Sequence, residues 1–197
     1  MVAAPRTLRR RHRDPRPLVR RHPPAQQALD DFAPTGDVLE LAAGTGWWTE
    51  RLTNRARHVT AVDANTETLD LNRARDHHGD ITFVQADIFT WTPPPAAYDV
   101  VFFSYWLSHV PAEHLDAFWH HVATALRPTG RVFLLDSYRE ARLDQDRQQR
   151  ILSDGRAFHI VKRYWQPDEL SALPGWHLTP TITTHRQVIY AHGAPAR

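Results

Sequence analysis

Apolar residues fall along this chain in short blocks of strand length, separated by amphipathic stretches. The first block, DVLELA (37–42), precedes a helical stretch from about residue 46 to 55. HVTAVD (58–63) is the second, and NTETLDLNRARDH after it reads as a helix. Asn65 caps that helix, and Glu67 and Asp70 sit in its first turns. ITFVQA (81–86) is a third strand, and the turn-rich TWTPPPAAY leads to a fourth, YDVVFFS (98–104). Pro111 opens another helix, AEHLDAFWHHVATAL, whose Leu115, Phe118, Trp119, Val122 and Leu126 share one face. RPTG ends it, and RVFLLD (131–136) is the fifth strand. Strands this apolar, alternating with helices, predict a parallel sheet covered by helices on both faces.

After Asp136 the rhythm changes. SYREARLDQDRQQRIL reads as a charged helix, GRAFHIVKRYW as an extra strand, and PDELSAL as a short helix with Pro167 at its start. Two more strands, roughly 176–184 and 185–192, suit an antiparallel edge on the sheet.

The net charge of +2 hides an asymmetry. Eight arginines lie in residues 6–21, where Asp14 is the only acid, so residues 22–197 carry 16 basic against 21 acidic groups. A basic segment precedes an acidic body. Such a run can bind nucleic acid or an anionic surface, and a solvated terminus is the simpler reading. We therefore expect an Arg/Pro-rich, poorly ordered segment over 1–24 and a single domain over 25–197. With no cysteine there is neither a disulfide framework nor a thiolate metal site. No apolar run approaches the roughly 18 residues of a membrane span, and no signal-peptide core precedes the domain. The expectation is a soluble cytoplasmic protein without membrane or nucleic-acid partners and of unspecified oligomeric state.

The candidate chemistry starts at LELAAGTGWWTERL (39–52). A glycine turn after the first strand lets backbone approach a ligand that a Cβ would block. Gly46 is followed by Trp47, which excludes the Gly-Lys-Ser/Thr of a P-loop. Reading from Gly44 gives G-T-G-W-W-T, with Thr49 where a dinucleotide fold needs its third glycine. The remaining class is an adenosine without phosphates. Asp63 closes the second strand, where a carboxylate can accept both hydrogen bonds of a ribose diol. Asp87 follows the third strand, so Glu40, Asp63 and Asp87 mark one edge of the sheet.

These residues resemble the class I S-adenosylmethionine-dependent methyltransferases, whose glycine motif runs acid-x-Gly/Ala-x-Gly-x-Gly. Glu40 to Gly46 fits it, and VTAVDAN, VQADIF, YDVVFF and LRPTGRVFLLD extend the resemblance over about residues 36–136. GDVLELAAGTGWWTERL, VFFSYWLSHVP and DGRAFHIVKRYWQPDEL are similar to a small bacterial subgroup that includes the phosphonate O-methyltransferase of the dehydrophos pathway. The resemblance implies a Rossmann-like class I methyltransferase fold: a mostly parallel seven-stranded sheet with an antiparallel C-terminal edge strand and helices on both faces. It divides the domain into a cofactor-binding part (36–136), an acceptor or lid part (137–175) and C-terminal antiparallel strands (176–192). It also implies S-adenosyl-L-methionine as cofactor and a small, anionic acceptor methylated on oxygen in secondary metabolism. Asp63 with Ala64 would hold the ribose, and Asp87 and Ile88 would flank the adenine. Ala42, Ala43, Gly44, Thr45 and Gly46 would face the methionine part, and Glu40 and, at the end of the fourth strand, Ser104 would also belong to the cofactor site. Trp47 and Trp48 either wall this pocket or pack the helix on the sheet.

SYWLSHVP (104–111) lies at the carboxyl end of the fourth strand, so the expected acceptor-side residues are His109, Tyr105 and Trp106. A histidine titrating near neutrality can bind an acceptor oxygen or remove a proton; alternatively, His109 satisfies backbone at a loop junction. Arg156 and Lys162 offer cations for an anionic acceptor, or are solvated strand charges. Six residues apart, they stand about 20 Å from each other along an extended strand. His77-His78 and His120-His121 point to different sides of their helices and no metal-ligand spacing is present, so no metal is expected. Subgroup members usually carry an N-terminal helix over the cofactor. Here only PAQQALDDF looks helical, so that lid is either replaced by the arginine segment or missing. Two other readings stay open: a methyltransferase on nucleic acid or protein that uses the arginine segment, and a cofactor-binding protein without turnover.

Overall fold

Alternation along YDVVFFS sends Val100 and Phe102 to one side of a sheet and Val101 and Phe103 to the other, all four buried. The computed structural model describes residues 23–140, 147–151 and 157–196, and this central strand organises it. In chain order the first elements are α1 (Pro23–Phe32), β1 (Asp37–Leu41), α2 (Thr49–Leu52), β2 (His58–Asp63), α3 (Thr66–Arg73), β3 (Asp80–Gln85) and β4 (Tyr98–Ser104). Next come α4 (Leu115–Ala125), β5 (Leu126–Ser137), β6 (Arg147–Ile151), β7 (Ala157–Val161), α5 (Pro167–Ser171), β8 (Trp176–Ile182) and β9 (Val188–Pro195).

Seven strands form one sheet in the order β3-β2-β1-β4-β5-β9-β8. β1 to β5 are parallel, whereas β9 runs antiparallel to both β5 and β8. On one face Leu39, Leu41, Val101, Phe103 and Leu134 meet Phe118, Trp119 and Val122 of α4 and Leu170 of α5. On the other, Val38, Val59, Val100, Phe102 and Phe133 meet Leu29 and Phe32 of α1, Leu52 of α2 and Trp48. Phe102 lies 5.5 Å from Trp48 and 6.1 Å from Phe133, ring to ring, so this second core is joined by aromatic contact. Strand β1 has β2 on one side and β4 on the other, where the strand order reverses. Crevices beyond the carboxyl ends at such a reversal are where open α/β sheets bind ligands.

The mostly parallel sheet with its antiparallel C-terminal edge agrees with the sequence reading, and several local elements differ from it. Residues 147–151, expected in a charged helix, form β6 and pair antiparallel with β7, Gln149 opposite His159. A strand partner supplied by residues 157–161 decides that segment against its helical composition. The RPTG stretch does not break the chain after α4. Leu126 pairs with Tyr98 and the strand continues through an irregularity to Ser137. The helix expected over 46–55 is α-helical only from Thr49 to Leu52. Asn65 does cap α3, its side chain accepting from the Thr68 amide at 2.9 Å. The readings of residues 1–22 and Arg156 lie outside the described residues.

Because Phe102 is fully buried between two aromatic neighbours, Phe102→Ala is expected to cost about 3–5 kcal/mol of stability, measured by urea unfolding.

Candidate functional site

Three residues in the left-handed region fold the chain back after β1: Ala42 (φ 54°), Gly44 (55°) and Gly46 (83°). A β-carbon at Gly46 would stand 2.1 Å from Asn72 Oδ1, so only glycine fits where the turn meets α3. At Gly44 the nearest atom to such a carbon is 4.0 Å away, and the turn is open on that side. Two bonds tie the turn to β2. The Ala43 amide donates to the Val62 carbonyl at 2.9 Å, and the Gly44 amide to Asp63 Oδ2 at 2.8 Å.

Asp63 thus stands between turn and helix. Its Oδ1 accepts from the Asn65 amide at 2.9 Å and the Thr68 hydroxyl at 3.2 Å. A carboxylate has about four acceptor positions, so one remains on Oδ2. Ala64 beside it is exposed. Asp87 is exposed and takes the Phe89 amide at 3.0 Å, while Ile88 turns into the core with Leu41. Ser104 closes β4, half-buried. These carboxyl-edge groups and the open glycine turn suit a neutral ribose and a small ligand backbone, since Asp63 keeps an acceptor position for hydroxyl donors.

Alternation along β1 turns Glu40 under this edge toward α2, where it is 2% exposed. Thr49 donates to Glu40 Oε2 at 2.5 Å, and Asn72 Nδ2 donates to Thr49 Oγ1 at 2.9 Å. His77 Nε2 lies 2.9 Å from Asn72 Oδ1 and 2.8 Å from the Asn72 carbonyl. Burial pushes the Glu40 carboxyl up to about 8; the Thr49 bond opposes this and the Asp63 charge adds to it. Burial thus favours the protonated form of Glu40, which forms part of the turn's foundation.

The two tryptophans separate. Trp48 is buried against Phe102 in the core. Trp47 is half-buried, with the Arg75 guanidinium 5.9 Å from its ring. Arg75 also donates to the Thr45 carbonyl at 2.6 Å and pairs with Glu50 at 2.7 Å, which anchors the exposed tip of the turn.

Beyond β4 the chain makes a sharp corner at Tyr105 (φ 52°), whose amide donates to the Leu135 carbonyl at 2.8 Å. Burial, then the nearby Asp136 charge, pushes the Tyr105 phenol up to about 12, so it is a donor and not a base. Trp106 lies 5.2 Å from Phe89, itself 5.2 Å from His114. The Trp106 indole N–H is buried and finds no partner among the described residues. His109 sits in a short 3-10 turn, Leu107–His109, with Nδ1 2.7 Å from the Val161 carbonyl. A carbonyl only accepts, so Nδ1 carries a proton toward it.

Lys162 is not a solvated strand charge. Its ammonium is buried, 2.6 Å from Ser108 Oγ and 3.4 Å from Asp136 Oδ1. Asp136 is fully buried and also accepts from the Ser108 and Ser137 amides. Sequence reasoning passed over Asp136 and Ser108. The available signal was that Asp136 closes the apolar block RVFLLD as Asp63 closes HVTAVD.

A family model described as a methyltransferase domain matches residues 38–130. The chain is 36% identical to the protein of the DhpI-SAH complex structure, covering 90% of this chain and 85% of that one with a TM-score of 0.80. For the DhpI-SAM-HEP complex the identity is 35%, the coverage 91% and 88%, and the TM-score 0.80. N-terminal Xaa-Pro-Lys N-methyltransferase 1 of Danio rerio is 31% identical over 109 residues, 52% of this chain and 48% of that protein. The chain spans half or less of the length of the curated relatives it matches.

Two outcomes follow from the geometry. An acid with a raised folded pKa binds its proton more tightly folded than unfolded, so Glu40 stabilises less as pH rises from about 4.5 to about 8. Thermal melts across that window should fall with pH, and Glu40→Gln should remove most of that slope. Trp48→Ala should cost about 3–5 kcal/mol in urea unfolding, and Trp47→Ala under about 2 kcal/mol.

Proposed function

Because this chain belongs to the class I S-adenosylmethionine-dependent methyltransferases, we propose that it methylates an oxygen of a small anionic acceptor, a phosphonate or carboxylate, in secondary metabolism. What carries this reading is the likeness to the DhpI-SAM-HEP complex, 35% identical over 91% of this chain, together with the polar cluster of Ser108, Asp136 and the paired Lys162 beside the turn that presents His109. The likeness to the DhpI-SAM-HEP complex supports a small acceptor over a macromolecular one.

When bound, S-adenosylmethionine supplies a methyl group activated on a sulfonium. The chain's part is binding and orientation. Asp63 offers its remaining acceptor position to the ribose diol, with Ala64 alongside. Asp87 and Ile88 flank the adenine, and the turn from Ala42 to Gly46 lines the methionine part over Glu40. Ser104 and Trp47 close the sides. The acceptor lies against Tyr105, Trp106 and His109, with Lys162 beneath and Arg156 as a second cation. Holding an acceptor oxygen in line can supply about 7–11 kcal/mol of the barrier. An anionic oxygen is already a nucleophile and needs no proton removed.

The first test is calorimetric titration of S-adenosylhomocysteine. Wild type should bind at micromolar concentration, and Asp63→Ala, checked for folding by circular dichroism, should bind at least about tenfold more weakly. A panel of phosphonates, carboxylates, alcohols and amines then addresses the acceptor, read by mass spectrometry of the product. Turnover confined to amines, or to alcohols with a rate that rises with pH, would remove the anionic-oxygen reading.

A further inference from the structure

We propose that Asn72 is a positioning residue for the methionine part of the cofactor: its buried side-chain amide holds the glycine turn in place through Gly46 and Thr49. The inference deepens the proposed function and rests on the turn from Ala42 to Gly46 lining that part of S-adenosylmethionine.

Asparagine is mostly a surface residue, yet Asn72, next to last in α3, is fully buried. Both ends of its amide are engaged. Nδ2 donates to Thr49 Oγ1 at 2.9 Å, and Oδ1 lies 2.9 Å from His77 Nε2, which also meets the Asn72 carbonyl at 2.8 Å. Two carbonyl oxygens only accept, so His77 Nε2 is the donor. Thr49 gives its one hydrogen to Glu40. The donors therefore run in one sense, from His77 through Asn72 and Thr49 to Glu40.

The same amide is the surface on which Gly46 rests. Asn72 Oδ1 and Cγ fill the space a β-carbon on Gly46 would take, with Arg75 Cδ 3.0 Å from that point. Gly46 is where turn becomes helix: its amide donates to the Ala43 carbonyl at 3.2 Å, and its carbonyl accepts from the Glu50 amide at 3.1 Å. Thr49 is the first residue of α2. Asn72 thus touches the last residue of the turn and the first of α2, and fixes one against the other. Three residues on, Arg75 donates to the Thr45 carbonyl, so the exit of α3 grips the turn at its buried side and at its tip.

The chemistry explains the residue type. A carboxylate at position 72 would turn a second acceptor to Thr49, whose hydrogen is already given. An apolar side chain of that size would leave the Thr49 and His77 bonds unmade inside the protein, a costly state for buried polar groups. The short amide of asparagine offers a donor and an acceptor from one plane. Without it the turn keeps its bonds from Ala43 and Gly44 to β2, while its Gly46 end loses its support on α3.

The test is amide hydrogen exchange by NMR on the full chain without cofactor, followed by calorimetry. In Asn72→Ala the Ala43, Gly44 and Gly46 amides should exchange about tenfold faster relative to those of β4. The affinity for S-adenosylhomocysteine should fall by about tenfold, while that for methylthioadenosine, which lacks the amino-acid part, stays within about twofold. Thr49→Val should reproduce both effects, and Thr49→Ser, which restores the hydroxyl, should stay close to wild type. Equal acceleration at the turn and in β4, or equal loss of both nucleosides, makes Asn72 a packing residue and overturns the proposal. If Asn72→Ala does not fold, the Thr49 pair decides alone. A wild type that binds neither nucleoside removes the cofactor reading, and the exchange rates then decide the hold on the turn separately.

Discussion

The register of β1 between its two parallel neighbours is the constraint on which the functional edge depends. Leu41 stands opposite Val62 on β2 and opposite Phe103 on β4, so the three strands end together. The glycine turn, Asp63 and Ser104 then emerge at one level beside the reversal of strand order. A slip of one residue would exchange the two faces of β1, moving Glu40 from the α2 side into the apolar face that packs on α4. Both cores specify this register, because Val38 and Leu39 are each fully buried on opposite sides.

Two acids are buried near that edge, and the protein accommodates them differently. Among the described residues Glu40 meets a hydroxyl and behind it a carboxamide, and no cation, so burial favours the protonated acid. Asp136 receives two backbone amides and an ammonium. Charge inside a protein is tolerated when it is paired and its lone pairs are filled, and otherwise the proton stays on. The first arrangement supports the glycine turn; the second ties together the end of β5, the residue after β7 and the turn at Ser108.

Much of the fold was legible because hydrophobic period is local. The five parallel strands read from their apolar blocks, α3 from Asn65, and α4 from a face of large apolar residues. Two misreadings share one cause. Residues 147–151 look helical by composition, yet β7 lies alongside, and a strand partner is a tertiary fact. RPTG contains the residues of a turn, yet β4 continues the ladder past it.

For the site, the sequence alone determined the acids at the strand ends, the glycine turn and the family resemblance, since these are fixed by spacing along single elements. The separation of Trp47 from Trp48 needed the packing of α2 on the sheet. The charge state of Glu40 needed its burial. Only tertiary structure decided that the lone lysine is paired with Asp136, 26 residues away, and that His109 is oriented by a carbonyl 52 residues on. Local patterning records which face a residue takes, because that is set by backbone period. Which polar group it meets there depends on how distant segments pack, and no single stretch of sequence carries that information.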